Sequence, residues 1–156
     1  MPFRERGART DEYVPAMRAL WTLEKPAFEG RFVRFSGIQS RPRPVQPGGP
    51  PIVVGGASAA ALERAVRYAQ GWYGFAMDVA QAKDCVARLA AIGVNVKRPK
   101  ELGPLEISIT PRGRITRSTR DEFAGAGVHR LISLVPQDSE ASLLAALEAM
   151  AKEVIA

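Results

Sequence analysis
The stretch with the most chemical potential is Pro50-Pro51-Ile52-Val53-Val54-Gly55-Gly56-Ala57-Ser58, which runs directly into Ala59-Ala60-Ala61-Leu62 and on to Trp72. A short β-branched run breaks on two glycines and enters a segment where Leu62, Ala65, Val66 and Ala69 recur at helical spacing. Strand, Gly-Gly, small residue, Ser, helix is the outline of a phosphate-binding turn. The glycines let backbone approach an anion, Ser58 can cap the helix or donate its hydroxyl, and the first-turn N–H groups face the charge. The same residues also suit a plain strand-to-helix turn, and the local pattern leaves both readings open.

A second set of polar residues lies in Leu105-Glu106-Ile107-Ser108-Ile109-Thr110-Pro111, which alternates strictly. That is the period of a strand with unlike faces, so Glu106, Ser108 and Thr110 share one of them. Ser108 and Thr110 can hydrogen-bond a substrate or fill a polar interior, while Glu106 is read as structural. Arg112-Gly113-Arg114 follows, as a solvated loop or a contact to an anionic tail. His129 precedes a strand with no His or Cys cluster near it, so no metal site is indicated and no role is assigned to it. Cys85 is the single cysteine and falls at an apolar position of a helical pattern, as a buried thiol would.

These residues need elements to position them. The 156 residues with 46% hydrophobic content suit one domain at most, spanning 1–156, with a real core. No apolar run is long enough to span a membrane, and the start lacks the hydrophobic stretch of a signal peptide; with a lone cysteine, a cytoplasmic location is expected. A net charge of +6 permits anionic ligands, but the arginines are scattered and aromatics few, so a nucleic-acid groove is not expected.

Thr10-Asp11-Glu12 signals a helix start, with Pro15 in its first turn and Met17, Leu20 and Trp21 at helical spacing. From Thr22 to Pro50 no helix is credible. Residues 28–37 can form a small hairpin, and seven prolines and glycines between Pro42 and Pro51 forbid regular structure. So long a connection is read as an active-site excursion over 22–50. Strands are then expected near 51–55, 71–75, 105–110 and 129–136. Between them fall a helix ended by Gly93, with Ala82, Cys85, Val86, Leu89 and Ile92 inward, and a short helix over 121–127. A last helix is capped by Asp138 or Ser139. Trp72 follows a helix-ending Gly71 and reads as a packed strand-start residue.

This alternation calls for parallel strands with right-handed crossovers, either a doubly wound sheet or a (β/α) barrel. The polar face of the third strand favours a barrel, whose lumen can hold such residues, and no GxGxxG fingerprint is present. Four strands are half of the eight a closed barrel needs. The fold class expected is therefore the C-terminal half of a (β/α)8 TIM barrel, four parallel strands with helices on the outer face.

Arg6-Gly7, Asp11-Glu12, Leu20-Trp21-Thr22, Phe28-Glu29-Gly30-Arg31-Phe32, Pro42-x-Pro44-x-Gln46, Pro51-Ile52-Val53-Val54-Gly55-Gly56 and Gly71-Trp72 occur in this order. In this the sequence resembles the luciferase-like monooxygenase superfamily, in particular its coenzyme F420-dependent oxidoreductases, over essentially the whole chain. The resemblance implies coenzyme F420, or FMN, bound at the C-terminal ends of barrel strands, with hydride transfer to or from a small organic substrate. It implies that Gly55, Gly56, Ala57 and Ser58 lie near the coenzyme phosphate. It also places 72–75 and 108–112 at the lumen or rim, making Ser108, Thr110 and Arg112 the candidate substrate contacts. Members begin about half a barrel earlier, and that half normally supplies the catalytic acid or base, so no catalytic residue is named in this chain. Self-association, or pairing with such a half-barrel, is expected of it, and turnover by the chain alone is not. A non-catalytic half-barrel serving assembly or phosphate binding is the alternative.

Overall fold
The computed structural model describes residues 2–135 and 138–155. The chain divides into two compact units, 1–51 and 52–156.

The first unit contains helix α1 (Arg6–Thr22) and an antiparallel pair, β1 (Phe28–Glu29) and β2 (Arg34–Phe35), which is the expected hairpin. Helix α1 starts earlier than Thr10-Asp11-Glu12 suggested, directly after a 3-10 turn at Phe3–Glu5. The polar lead-in is helical because Glu5 pairs with Arg9 at 2.9 Å and Thr10 Oγ1 donates to the Arg6 carbonyl, both one turn apart. Pro15 consequently sits in the helix interior, not its first turn, and supplies no N–H for the carbonyl four residues back.

Glu12 projects from α1 into the bend after β1. Its carboxylate accepts the N–H groups of Arg31 (2.9 Å), Phe32 (2.7 Å) and Val33 (2.6 Å). Gly30 is required beside it, because a Cβ there would lie 2.2 Å from Glu12 Oε1. Partial desolvation pulls the Glu12 carboxyl up, but the three N–H donors and Arg9 outweigh it and hold the group below its ordinary value. A depressed folded-state pKa stabilises the unit above the unfolded value and loses that contribution as pH falls through the folded one. Melting of the wild type should therefore drop with acidification below the usual carboxylate range, and Glu12→Gln should flatten that dependence. The same substitution should speed amide exchange at Arg31, Phe32 and Val33 roughly tenfold or more. Exchange measured by NMR with the pH-dependent melt decides this; unchanged protection would refute it.

The second unit is a four-stranded parallel sheet in sequence order, β3 (Val53–Gly55), β4 (Gly71–Met77), β5 (Glu106–Pro111) and β6 (Arg130–Leu131). Helices α2 (Ala59–Tyr68), α3 (Val79–Asn95) and α4 (Arg117–Gly125) alternate with the strands, and α5 (Glu140–Met150) follows β6. The expected parallel order is thus observed. The core is what the periodicity demanded: Leu62, Ala65 and Val66 of α2 and Ala82, Cys85 and Leu89 of α3 pack with Ile107 and Ile109 of β5. Burial pushes the Cys85 thiol up, so it is protonated and inert.

Several boundaries differ from the sequence expectation. Helix α3 runs through Gly93 to Asn95, whose Nδ2 donates to Ala91 O; an interior glycine costs about 1 kcal/mol and is outweighed by the packed face. Helix α4 begins at Arg117 because Thr116 and Thr119 form a reciprocal cap, and it ends at Gly125. Ser139, not Asp138, caps α5. The fourth strand is only two residues long. Ile132 N–H still reaches Ile109 O at 2.8 Å, but beyond it β5 has no more to offer, since Pro111 lacks an N–H and Arg112 N–H has turned to Met77 O.

Trp72 is packed at the start of the strand, as its place after Gly71 suggested; what changes is the side it takes. Alternation along β4 sends it away from the lumen and rim position expected of it, into the helix-packed core, where it is fully buried. Tyr73 and Phe75 take the opposite face, with Glu106, Ser108 and Thr110.

Between α3 and β5 the Arg98 guanidinium holds loose ends together. It donates to Ala65 O and Val66 O near the end of α2, and to Leu102 O and Gly103 O. Burial lowers its pKa from an arginine's very high value.

Candidate active site
The turn after β3 is built by four locking interactions. Ser58 caps α2, its Oγ accepting from Ala61 N–H at 3.2 Å. Gly56 has φ of +104°, a conformation that a side chain resists. Its N–H donates to Tyr73 O at 3.3 Å, tying the turn to β4. Its carbonyl accepts the Trp72 indole N–H at 2.9 Å, and the next carbonyl, of Ala57, accepts Arg88 Nη2 at 3.0 Å. The Ser58, Ala59 and Ala60 N–H groups have no partner among the described residues, and they open the 10-residue helix α2. The anion donors the geometry offers are therefore these N–H groups with that of Ala57, rather than the Gly56 N–H.

Beside the turn is a cleft of about 540 Å3, bounded by Ala57, Phe75, Ala76, Gln81, Arg88 and Arg112. Ala76 lies at an irregularity between Phe75 and Met77 and has φ of +52°. An L-residue held there costs about 1–2 kcal/mol, so the end of β4 is strained next to the turn. Arg112 braces it: Nε donates to Ala76 O at 3.3 Å and Nη2 to Gln81 Oε1 at 3.2 Å.

On the sheet face away from the helices, the Tyr73 and Thr110 hydroxyls are 2.8 Å apart. Ser108 donates to Glu106, which pairs with Arg130 at 2.9 Å. The structure thus joins Gly55, Gly56, Ala57 and Ser58 in one turn, and pairs Thr110 with a tyrosine that sequence reasoning did not single out. Arg112 is gathered with Ala57, not with Ser108 and Thr110. Arg88 and the Trp72 indole N–H also escaped the sequence, since nothing in their spacing points at a carbonyl 31 or 16 residues away. His129 Nδ1 accepts from Ile107 N–H, at the start of the strands and away from the turn.

Parallel strands alternating with helices, and a capped glycine turn at a strand's C-terminal end, define a partial (β/α)-barrel of the luciferase-like fold. The chain belongs to the luciferase-like monooxygenase family, whose sequence model matches residues 1–153. It is similar to an FMNH(2)-dependent dimethylsulfone monooxygenase of Pseudomonas putida, 35% identical over 97 residues, covering 60% of this chain and 27% of that protein. An uncharacterized protein of Mycobacterium tuberculosis (strain ATCC 25618 / H37Rv) is 31% identical over 150 residues, covering 84% of this chain and 51% of its own length. Among solved structures, an F420-dependent secondary alcohol dehydrogenase in complex with an F420-acetone adduct superposes with a TM-score of 0.67 at 13% identity. That match covers 85% of this chain and 57% of the other. The monooxygenase RslO1 from Streptomyces bottropensis matches with a TM-score of 0.54 at 25% identity, covering 81% and 39%. The chain thus spans between about a quarter and a half of the curated relatives named here. No described helix is long and apolar enough to cross a membrane.

Proposed function
We propose that this chain is the cofactor-phosphate-binding part of an oxidoreductase that uses coenzyme F420 or FMN, transferring hydride to or from a small organic substrate. The observation that carries this is the Gly55–Ser58 turn: consecutive N–H groups open a capped helix at the C-terminal end of a parallel strand, where such folds bind phosphate. The bound coenzyme supplies the redox chemistry. This chain's part is to fix its phosphate through the 57–60 N–H groups and to present Tyr73 on the inner sheet face, backed by Ser108 and Thr110, which are 6% and 1% exposed. Tyr73 and Thr110 share one hydrogen bond; with Thr110 buried and donating, the Tyr73 hydroxyl proton remains to orient a substrate oxygen. Titration with FMN and with F420, followed by fluorescence quenching, should show saturable binding of one or both. No binding of either would defeat the proposal.

A second reading, an assembly module, is favoured by the sheet itself. Its outer strands β3 and β6 have no further strand beside them among the described residues, and Val53 and Phe75 on the inner face are 55% and 61% exposed. The inner face is mixed: beside the exposed Val53 and Phe75, Ser108 and Thr110 are buried, while Trp72 and the strand isoleucines face the helices. We expect the chain to close this face against a second copy or against a half-barrel of complementary strands. Light scattering on purified protein should give a mass above that of the monomer; a sharp monomer peak with a cooperative melt and no hydrophobic-dye binding would rule this out.

A further inference from the structure
We infer that Arg88 is a positioning residue that sets the polarity of the phosphate turn, an inference that rests on the phosphate reading above. A trans peptide places its C=O and N–H on opposite sides of one rigid plane. The Gly56 carbonyl is fixed by the Trp72 indole, so the N–H of the same peptide, that of Ala57, faces the other way. The Ala57 carbonyl is fixed by Arg88, so the Ser58 N–H is turned likewise away from that guanidinium. Two side chains thus aim two successive N–H groups away from themselves, next to those of Ala59 and Ala60. Without the Arg88 contact the 57–58 peptide is free to rotate and present its carbonyl oxygen, which repels an anion.

The two anchors differ in what holds them. Trp72 is locked in the core, whereas Arg88 stands on the α3 surface with its side chain 40% exposed and is steadied by Asp84 at 3.3 Å. Arg88 borders the cleft and donates to the Ala57 carbonyl, and the role inferred is its hold on the orientation of that peptide. It can be changed without opening a cavity.

The test compares affinity for FMN with affinity for riboflavin, which lacks only the phosphate, and F420 with its phosphate-free deazaflavin chromophore. A general loss of stability lowers both members of a pair alike; loss of N–H orientation lowers only the phosphorylated one. Arg88→Met should reduce the preference for the phosphorylated form roughly five- to tenfold, with affinity for the phosphate-free form unchanged. Arg88→Lys, which retains a donor, should restore part of it. An unchanged preference in Arg88→Met, or equal loss for both members, overturns the inference. Ser58→Asp separates this from the underlying reading: aspartate keeps the cap but brings a negative charge to the phosphate position. If Ser58→Asp abolishes the preference and Arg88→Met does not, the turn binds phosphate and Arg88 has no part in it. If the wild type shows no preference, or Ser58→Asp leaves it intact, the phosphate reading falls and takes this inference with it.

Discussion

Replacing Trp72 by alanine will remove about 3–5 kcal/mol of stability, a large share of what a domain of this size possesses. The indole is fully buried, and its Cη2, Met77 Sδ and Ile109 Cδ1 converge above Gly74, where even a methyl group would lie under 3 Å from each. In urea the midpoint should fall while the slope stays constant, since the same surface is exposed on unfolding. Trp72→Phe keeps most of the volume but deletes the N–H that holds Gly56 O. It should cost about 1–3 kcal/mol, from the smaller ring and the lost hydrogen bond to the Gly56 carbonyl. A midpoint unchanged in the alanine variant would contradict the packing described here.

The second large effect falls on ligand binding. With Gly56→Val, a β-branched side chain meets a backbone at φ +104° that it tolerates poorly. Space is not the obstacle, because a Cβ there would meet only Ala61 Cβ at 3.5 Å. The residue will relax toward negative φ, and doing so rotates the Gly56 carbonyl off Trp72 and carries the 57 and 58 N–H groups away from their common direction. Losing two or more charge-assisted hydrogen bonds should weaken FMN or F420 binding roughly hundredfold or more. Fluorescence quenching measures it; an affinity equal to wild type would remove this turn from the site.

The parts of the molecule legible in the sequence were those where one local signal dominates. Ser58 ahead of Leu62, Ala65 and Val66 describes a capped amphipathic helix, and it forms. Alternation from Glu106 to Thr110 divides polar from apolar, and the strand keeps that division. The sequence misleads where two signals compete or the deciding partner is remote. Thr10-Asp11-Glu12 looks like a cap, yet Glu12 is committed to the amides of Arg31, Phe32 and Val33, some twenty residues on. Gly93 looks like a stop, but the apolar face of α3 carries the helix past it. Residues 132–135 are apolar enough for a strand and lack only a neighbour, because Pro111 and Arg112 end β5. In the candidate site the glycine turn was visible in composition. Its anchors were not, since a carbonyl leaves no mark in a sequence to show which side chain will reach it.

The alternation of β4 and β5 also bears on how such a chain can change over generations. Trp72, Ile107 and Ile109 are spent on holding the fold, and Tyr73, Phe75, Ser108 and Thr110, on the same two strands, are turned to the other side. Substitutions at Tyr73 and Phe75, the more accessible of these, leave the helix-packed core untouched, whereas Ser108 and Thr110 are themselves buried. A lineage can therefore explore new inner-face chemistries one residue at a time without first passing through an unfolded ancestor, and relatives that share this scaffold are free to diverge in what they act upon.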